Sequence, residues 1–235
     1  MTDILILTHT DHCTPGYLRE VLDARALDYR VLRVDRDELV GVDLDRPKAV
    51  AIMGGAMSVN DPLPWLTDEV AALRHFIRRD IPLMGHCLGG QLLAKALGAQ
   101  VQAMGHQEVG WQRQQQTPQA QGSPWLAHLP GEFELFEWHG DTFELPAGAQ
   151  HLLANEWCQN QAFAWGDKLL AVQAHPEMTE PLVDLWLTEA GHLLDDSQAS
   201  QQSQAFIRQD LSARVAALNR VAAGFYQHWL RLAFD

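Results

Sequence analysis

The feature that most constrains this chain is an alternation of two hydrophobic periods. Short apolar runs at Ile4 to Leu7, Arg30 to Val34, Lys48 to Met53 and Pro82 to Gly85 are separated by stretches with helical spacing near Tyr17 to Leu27 and Leu66 to Arg79. Strands that alternate with helices of this length are joined by crossovers, which predicts a parallel sheet with ligand sites at the C-terminal ends of its strands. A further helix is predicted from about Gly89 to Leu97. Beyond it, Val101 to Ala103, Phe133 to Trp138, His151 to Asn155, Ala162 to Trp165 and Leu169 to Ala174 read as strands, with turns marked by Pro130-Gly131, Pro146 and Gly166-Asp167. At 235 residues the chain is long enough for one continuous α/β core.

Two polar segments interrupt the pattern. Gln112 to Gly122 is dominated by glutamine and is expected to be a mobile loop or hairpin. Asp195 to Gln204 has similar character. After it, Ile207, Leu211, Val215, Leu218, Val221, Phe225, Trp229 and Leu232 recur every three or four residues, which predicts one long amphipathic helix. The expected organisation is a main domain over 1–195 and a helical extension over 196–235 packed on it, the alternative being a stripe that forms part of a subunit interface.

Charge and composition remove several function classes. Seventeen Lys and Arg against thirty Asp and Glu leave a net charge of −13, and such an acidic chain repels nucleic acid and anionic lipid surfaces. No apolar run approaches the roughly 18 residues of a membrane span, and Met-Thr-Asp followed by Ile4 to Leu7 lacks the pattern of a secretory signal. Cys13, Cys87 and Cys158 are too scattered for a disulfide framework, so a cytoplasmic location is expected.

Three stations carry potential chemistry. Gly85-His86-Cys87-Leu88-Gly89-Gly90-Gln91 lies between an apolar strand and a helix. A cysteine at such a sharp turn points its sulfur out of the sheet, and the helix aims its dipole and N-terminal amides at the sulfur, favouring thiolate. The Gly-x-Cys-x-Gly setting favours this reading of Cys87 over a small packing residue. His175-Pro176-Glu177 follows the strand-like Leu169 to Ala174, and an extended chain before proline is expected to put His175 and Glu177 on one side, as base and orienter for a nucleophile. Met53-Gly54-Gly55-Ala56 ends another predicted strand. It is either a tight turn or a place where Gly55, with Leu88, offers backbone N–H groups to a developing oxyanion.

His9, His12 and Cys13 do not form a metal-ligand pattern, because Pro15-Gly16 follows and there is no second ligand pair. His86 and His139 read as pocket-lining or hydrogen-bonded histidines, Trp111, Trp138 and Trp157 as core aromatics with Trp138 able to edge a pocket, and Cys158 as packing. No metal or organic cofactor is called for.

Together these residues resemble the class I glutamine amidotransferases, whose triad is Cys, His and Glu. Gly-His-Cys-Leu-Gly-Gly-Gln, His-Pro-Glu and Gly-Gly occur in the family's order, over roughly Met1 to Pro181. The nearest branch comprises stand-alone proteins similar to the glutaminase domain of GMP synthase, on the strength of Glu108-Val109-Gly110-Trp111, Trp138-His139-Gly140-Asp141 and Cys158-Gln159-Asn160-Gln161. The resemblance implies a flavodoxin-like α/β fold with a largely parallel sheet and helices on both faces. It also implies catalysis by Cys87, His175 and Glu177, an oxyanion hole at Gly55 and Leu88, and substrate contacts from Gln91 and the segment Trp138, His139, Gly140 and Asp141. Cys87 would attack the side-chain amide of glutamine, release ammonia and leave a γ-glutamyl thioester for water. Where the family continues Gly-Gly-Pro this chain has Ala56, so the turn after Gly55 is expected to be less rigid.

The chain has no Ser-Gly-Gly-x-Asp-Ser phosphate loop like that of a GMP synthase nucleotide-activating domain, so the ammonia would pass to a separate synthetase subunit or be released. The alternatives are a γ-glutamyl peptide hydrolase using the same small-molecule chemistry and a non-catalytic cysteine sensor. A sensor needs no His175 to Glu177 pair.

Overall fold

The computed structural model describes residues 3–36, 38–195 and 197–235; Met1 and Thr2 of the N-terminal reading and Asp196 at the expected domain boundary lie outside them. The elements run β1 (Ile4–Thr8), α1 (Tyr17–Ala24), β2 (Tyr29–Arg33), β3 (Ala49–Ile52), α2 (Pro64–Arg78), β4 (Leu83–His86) and α3 (Leu88–Ala96). There follow β5 (Val101–Gln116), β6 (Glu132–Phe143), β7 (Gln150–Ala154), β8 (Ala162–Trp165), β9 (Leu169–Val172), α4 (Glu180–Ala190), α5 (Gln204–Arg208) and α6 (Leu211–Phe234).

Among the described residues nine strands form one sheet, in the order β2-β1-β3-β4-β9-β8-β7-β5-β6. The half from β2 to β9 is parallel, and from β9 outward every pairing is antiparallel. The parallel strands are apolar throughout because both their faces are covered. Strand alternation divides their side chains: Ile4 and Ile6 enter a core shared with α1, α4 and α6, while Leu5 and Leu7 enter one shared with α2 and α3. β4 and β9 are direct neighbours, with His86 opposite Val172, although more than eighty residues separate them in sequence. That pairing brings two of the three stations to one sheet edge.

Three expectations need correction. Of the loop or hairpin expected over Gln112 to Gly122, the loop reading fails and the hairpin reading holds for Gln112 to Gln116, which is the end of β5, antiparallel to β6 with Gln112 opposite Leu135 and Gln115 opposite Glu132. Gln112 and Gln114 are buried, and the Gln114 amide donates to Glu137 Oε1 at 2.9 Å, so a glutamine run is accommodated inside by hydrogen bonds rather than rejected. Val101 to Ala103 is likewise only the first part of this 16-residue strand. The C-terminal helix is two helices, because Asp210 takes a left-handed backbone at φ 53° between α5 and α6.

The apolar stripe of α6 packs on the main sheet layer, burying Val215, Leu218, Ala222, Phe225, Tyr226 and Trp229. The Trp229 indole N–H also donates to the Pro82 carbonyl at 3.1 Å, at the start of β4. Among the described residues no helix is long and apolar enough to cross a membrane. Trp229→Ala is expected to lower the unfolding free energy by about 3–5 kcal/mol, read as a fall in the urea midpoint at unchanged slope. An unchanged midpoint would mean that α6 contributes no stability.

Candidate active site

Cys87 sits alone between β4 and α3, with φ 49° and ψ −111°. That left-handed conformation is strained for a residue with a Cβ, and it persists because its neighbours enforce it. The Cys87 N–H donates to Val172 of β9 at 2.8 Å, and its carbonyl accepts from Gln91 at 3.0 Å as the first bond of α3. The elbow is so tight that a Cβ on Gly89 would overlap the Ile52 carbonyl of β3. The N–H groups of the first turn of α3, Leu88 included, have no acceptor within the helix. The sulfur lies 3.8 Å from the Trp138 carbonyl and on the wall of a cavity.

His175 and Glu177 follow β9, but not in extended chain as expected. Met178 N–H donates to the His175 carbonyl at 3.3 Å, closing a turn around Pro176. Inside that turn His175 Nδ1 and Glu177 Oε1 are 2.8 Å apart, both buried. The His175 main-chain N–H donates to Phe136 of β6 and the ring meets Trp186 edge-on at 4.7 Å, so it is held from two sides. A Cβ on Gly54 would come within 2.7 Å of His175 Cε1 and 3.7 Å of Cys87 Cβ, which shows how closely the three stations converge.

The electrostatics follow from this burial. Desolvation opposes a charge on His175, but the Glu177 carboxylate and the Cys87 thiol outweigh it and hold the ring well above the ordinary histidine value. Burial likewise opposes ionisation of Glu177, yet His175 and His86 pull its pKa down to about 2. His86 Nδ1 lies 3.0 Å from Glu177 Oε2, an approach off the line of a good hydrogen bond. Tyr226 of α6 covers His86 with ring centroids 5.9 Å apart. The extension thus closes the rear of the site.

The cavity has a volume of about 460 Å³. Of the residues expected from the sequence, Cys87, His175, Gly55, Gln91, Trp138, His139, Gly140 and Asp141 line it, whereas the Leu88 and Glu177 side chains lie behind its wall. Several of these polar groups are tied to the protein. Gln91 Nε2 donates to the Asp141 carbonyl at 3.2 Å, and Ser58 Oγ donates to Asp141 Oδ2 at 2.6 Å. His139 Nε2 lies 3.0 Å from Glu108 Oε2, and Gln173 Nε2 donates to the Asp141 carbonyl at 2.7 Å.

Glu108 joins the three sequence patterns noted above: it also accepts from Gln161 at 2.6 Å and from Asn155. Glu137 beside it is held well above the usual carboxylate range by burial and by Glu108. Glu108, Glu137 and His139 bring ligand-type atoms within 4.8 Å of one another. Both Glu108 oxygens already accept hydrogen bonds, so the group reads as a buried network rather than a metal site. His9, His12 and Cys13 part company: His9 pairs with Glu69, His12 with Glu189 at the cavity wall, and burial pushes the Cys13 thiol up to about 11. Sequence reasoning missed the contacts of Glu69, Glu137, Gln173, Trp186 and Tyr226 entirely, and no local pattern marks them.

The model of the family glutamine amidotransferase class-I matches residues 16–184. The chain is similar to a glutamine amidotransferase from Methylobacillus flagellatus of known crystal structure, at 37% identity and TM-score 0.93, covering 99% of this chain and 96% of that one. A glutamine amidotransferase of Thermotoga maritima shares the fold at 22% identity and TM-score 0.86, covering 100% of this chain and 99% of that one. GMP synthase of Bacillus velezensis is 35% identical over 135 residues, which is 56% of this chain and 25% of that protein. The aligned region therefore spans about a quarter of the GMP synthase. By its matched residues and its fold, the chain belongs to the class I glutamine amidotransferase family.

Proposed function

We propose that the protein is a glutaminase of the triad type, acting on the side-chain amide of L-glutamine. The observation that carries this reading is the buried 2.8 Å contact between His175 Nδ1 and Glu177 Oε1, with the other ring nitrogen of His175 left without a protein hydrogen bond and Cys87 on the wall of the same cavity. The Cys87 sulfur, its proton held on His175, attacks the amide carbon and forms a C–S bond. The oxygen takes up the negative charge beside the N–H groups of Gly55 and Leu88, and the C–N bond breaks as His175 gives its proton to the departing ammonia. Neutral His175 then draws a proton from water, which cleaves the thioester to glutamate and restores the thiol. Gln91 and the Trp138 to Asp141 segment shape the pocket for the substrate.

A γ-glutamyl amide or peptide is the second reading. What favours it is the extent of the cavity, whose lining reaches Glu189, Ala190 and Leu193 around the end of α4, leaving room for a substituent on the amide nitrogen. The protein would work in the cytoplasm, in keeping with its three free cysteines, as a domain over 1–195 with the extension 196–235 behind the triad. A separate synthetase subunit is the proposed receiver of the ammonia, in keeping with the likeness to GMP synthase.

Glutamine, several γ-glutamyl dipeptides and glutathione, each assayed with wild type and Cys87→Ala, test the assignment. Release of ammonia from glutamine that disappears in Cys87→Ala is expected; faster turnover of a peptide would transfer the assignment to the second reading. His175→Ala is expected to lower kcat by about 10²–10⁴-fold. The first step needs the imidazolium proton, so kcat/KM should fall as pH rises through the raised His175 value. Glu177→Gln removes the carboxylate that raises it, and the alkaline limb should move down toward about 6.5. A limb that stays in place in Glu177→Gln would show that Glu177 does not set the base.

A further inference from the structure

The turn after β3 is the part of the site that the substitution of Ala56 for the family's proline was expected to loosen. It is held by a different device. His9, just past β1, brings Nδ1 to 3.0 Å from the Gly54 carbonyl and Nε2 to 3.0 and 3.1 Å from the two oxygens of Glu69 on α2. His9 and Glu69 are 1% and 0% exposed, and Trp65 stacks on the His9 ring at 5.6 Å with the planes 18° apart. Neither residue belongs to the cavity lining, and neither has a part in the chemistry just derived.

Hydrogen-bond chemistry defines the state of this ring. A carbonyl only accepts, and so does an ionised carboxylate, so a histidine bonded to both donates from both nitrogens and is an imidazolium. With Glu69 ionised the arrangement is a buried ion pair whose second N–H is spent on one backbone oxygen. In a trans peptide the carbonyl of Gly54 and the N–H of Gly55 point in opposite directions from the shared C–N bond. Gly55 lines the cavity beside Cys87 and His9 does not, so holding the carbonyl on the His9 side turns the N–H away from it, toward the cavity.

We propose that His9 and Glu69 are positioning residues that clamp the Gly54–Gly55 peptide and so keep the Gly55 N–H oriented for an oxyanion, replacing the stiffness that a proline at position 56 would supply. The consequence for the reaction rests on the glutaminase reading; the clamp itself does not. Burial disfavours the charged His9 ring, but Glu69 and the Gly54 carbonyl outweigh it and raise its pKa. The carboxylates that face the ring are Glu69 and, at longer range, Asp35, whose own partner is Arg33. The clamp therefore loses one of its two hydrogen bonds as the pH rises through the raised His9 value, because a neutral imidazole keeps a single N–H.

The test pairs a spectroscopic with a kinetic measurement on wild type, His9→Leu, His9→Asn and Glu69→Gln. The ¹³C resonance of the Gly54 carbonyl is expected to move in His9→Leu, to return most of the way in His9→Asn, whose amide can donate from nearly the place of Nδ1, and to titrate at lower pH in Glu69→Gln than in wild type. For glutamine hydrolysis, His9→Leu should lower kcat up to about 10²-fold at unchanged KM, the loss typical of a misplaced oxyanion donor. Its Cys87 should be alkylated by iodoacetamide at the wild-type rate, because displacement of iodide by the thiolate creates no oxyanion. A carbonyl resonance in His9→Leu identical to wild type, or equal losses in hydrolysis and alkylation, would overturn the proposal. If wild-type Cys87 alkylates normally but glutamine is not hydrolysed, the glutaminase reading fails and the carbonyl resonance still decides the clamp. If His9→Leu does not fold, His9→Asn and Glu69→Gln carry the same comparison.

Discussion

The structure turns on one buried contact, the 2.8 Å approach of His175 Nδ1 to Glu177 Oε1. In water such a pair would be worth little, because both groups are well solvated apart. Here both are buried, so separating them would leave a charge without a partner in a low-dielectric interior. The surrounding architecture reads as a means of satisfying that pair. Gly54 gives up its side chain so that His175 can approach β3, Phe136 of β6 accepts from the His175 main chain, and His86 and Tyr226 occupy the other side of Glu177. The C-terminal extension is thus built into the site's rear wall as well as into the apolar core.

A second polar layer supports the strands that border the cavity. Glu108, His139, Gln161, Asn155 and Gln173 interlock behind Asp141, with Gln114 and Glu137 adjoining. A carboxylate this deep is tolerable only because donors from several strands converge on it. The same economy appears at His9 and Glu69, where two buried ionisable groups face each other and the Gly54 carbonyl lies within hydrogen-bond distance of the other ring nitrogen.

Much of this was legible in one dimension. The four N-terminal strands and their crossover helices follow from periodicity, and the elbow around Cys87 follows from glycines that only a strand-to-helix turn of this tightness requires. Other parts were not. Gln112 to Gln116 reads as a loop or hairpin because composition cannot show where a buried amide finds its partner, Gln114 at Glu137 on the neighbouring strand and Gln112 at the Ser200 carbonyl. The pairing of His175 with Glu177 was expected for the wrong reason: strand alternation would have aligned them, whereas a turn around Pro176 does so. The break at Asp210 left no mark on an apolar stripe that continues through it.

The amino-acid sequence by itself determined the local matters: where the N-terminal strands and helices lie, which cysteine stands at a turn, and which glycines permit it. These depend on neighbours within a few residues, whose sterics and hydrophobic period are written consecutively in the chain. Tertiary structure alone decided which groups meet. His9 finds Glu69 sixty residues away, Glu108 finds Gln161 and Asn155 across three strands, and Tyr226 reaches His86 from the last helix. Such contacts are selected by the requirement that buried polar and charged groups be satisfied together, a condition set by packing of the whole core and invisible to any local pattern.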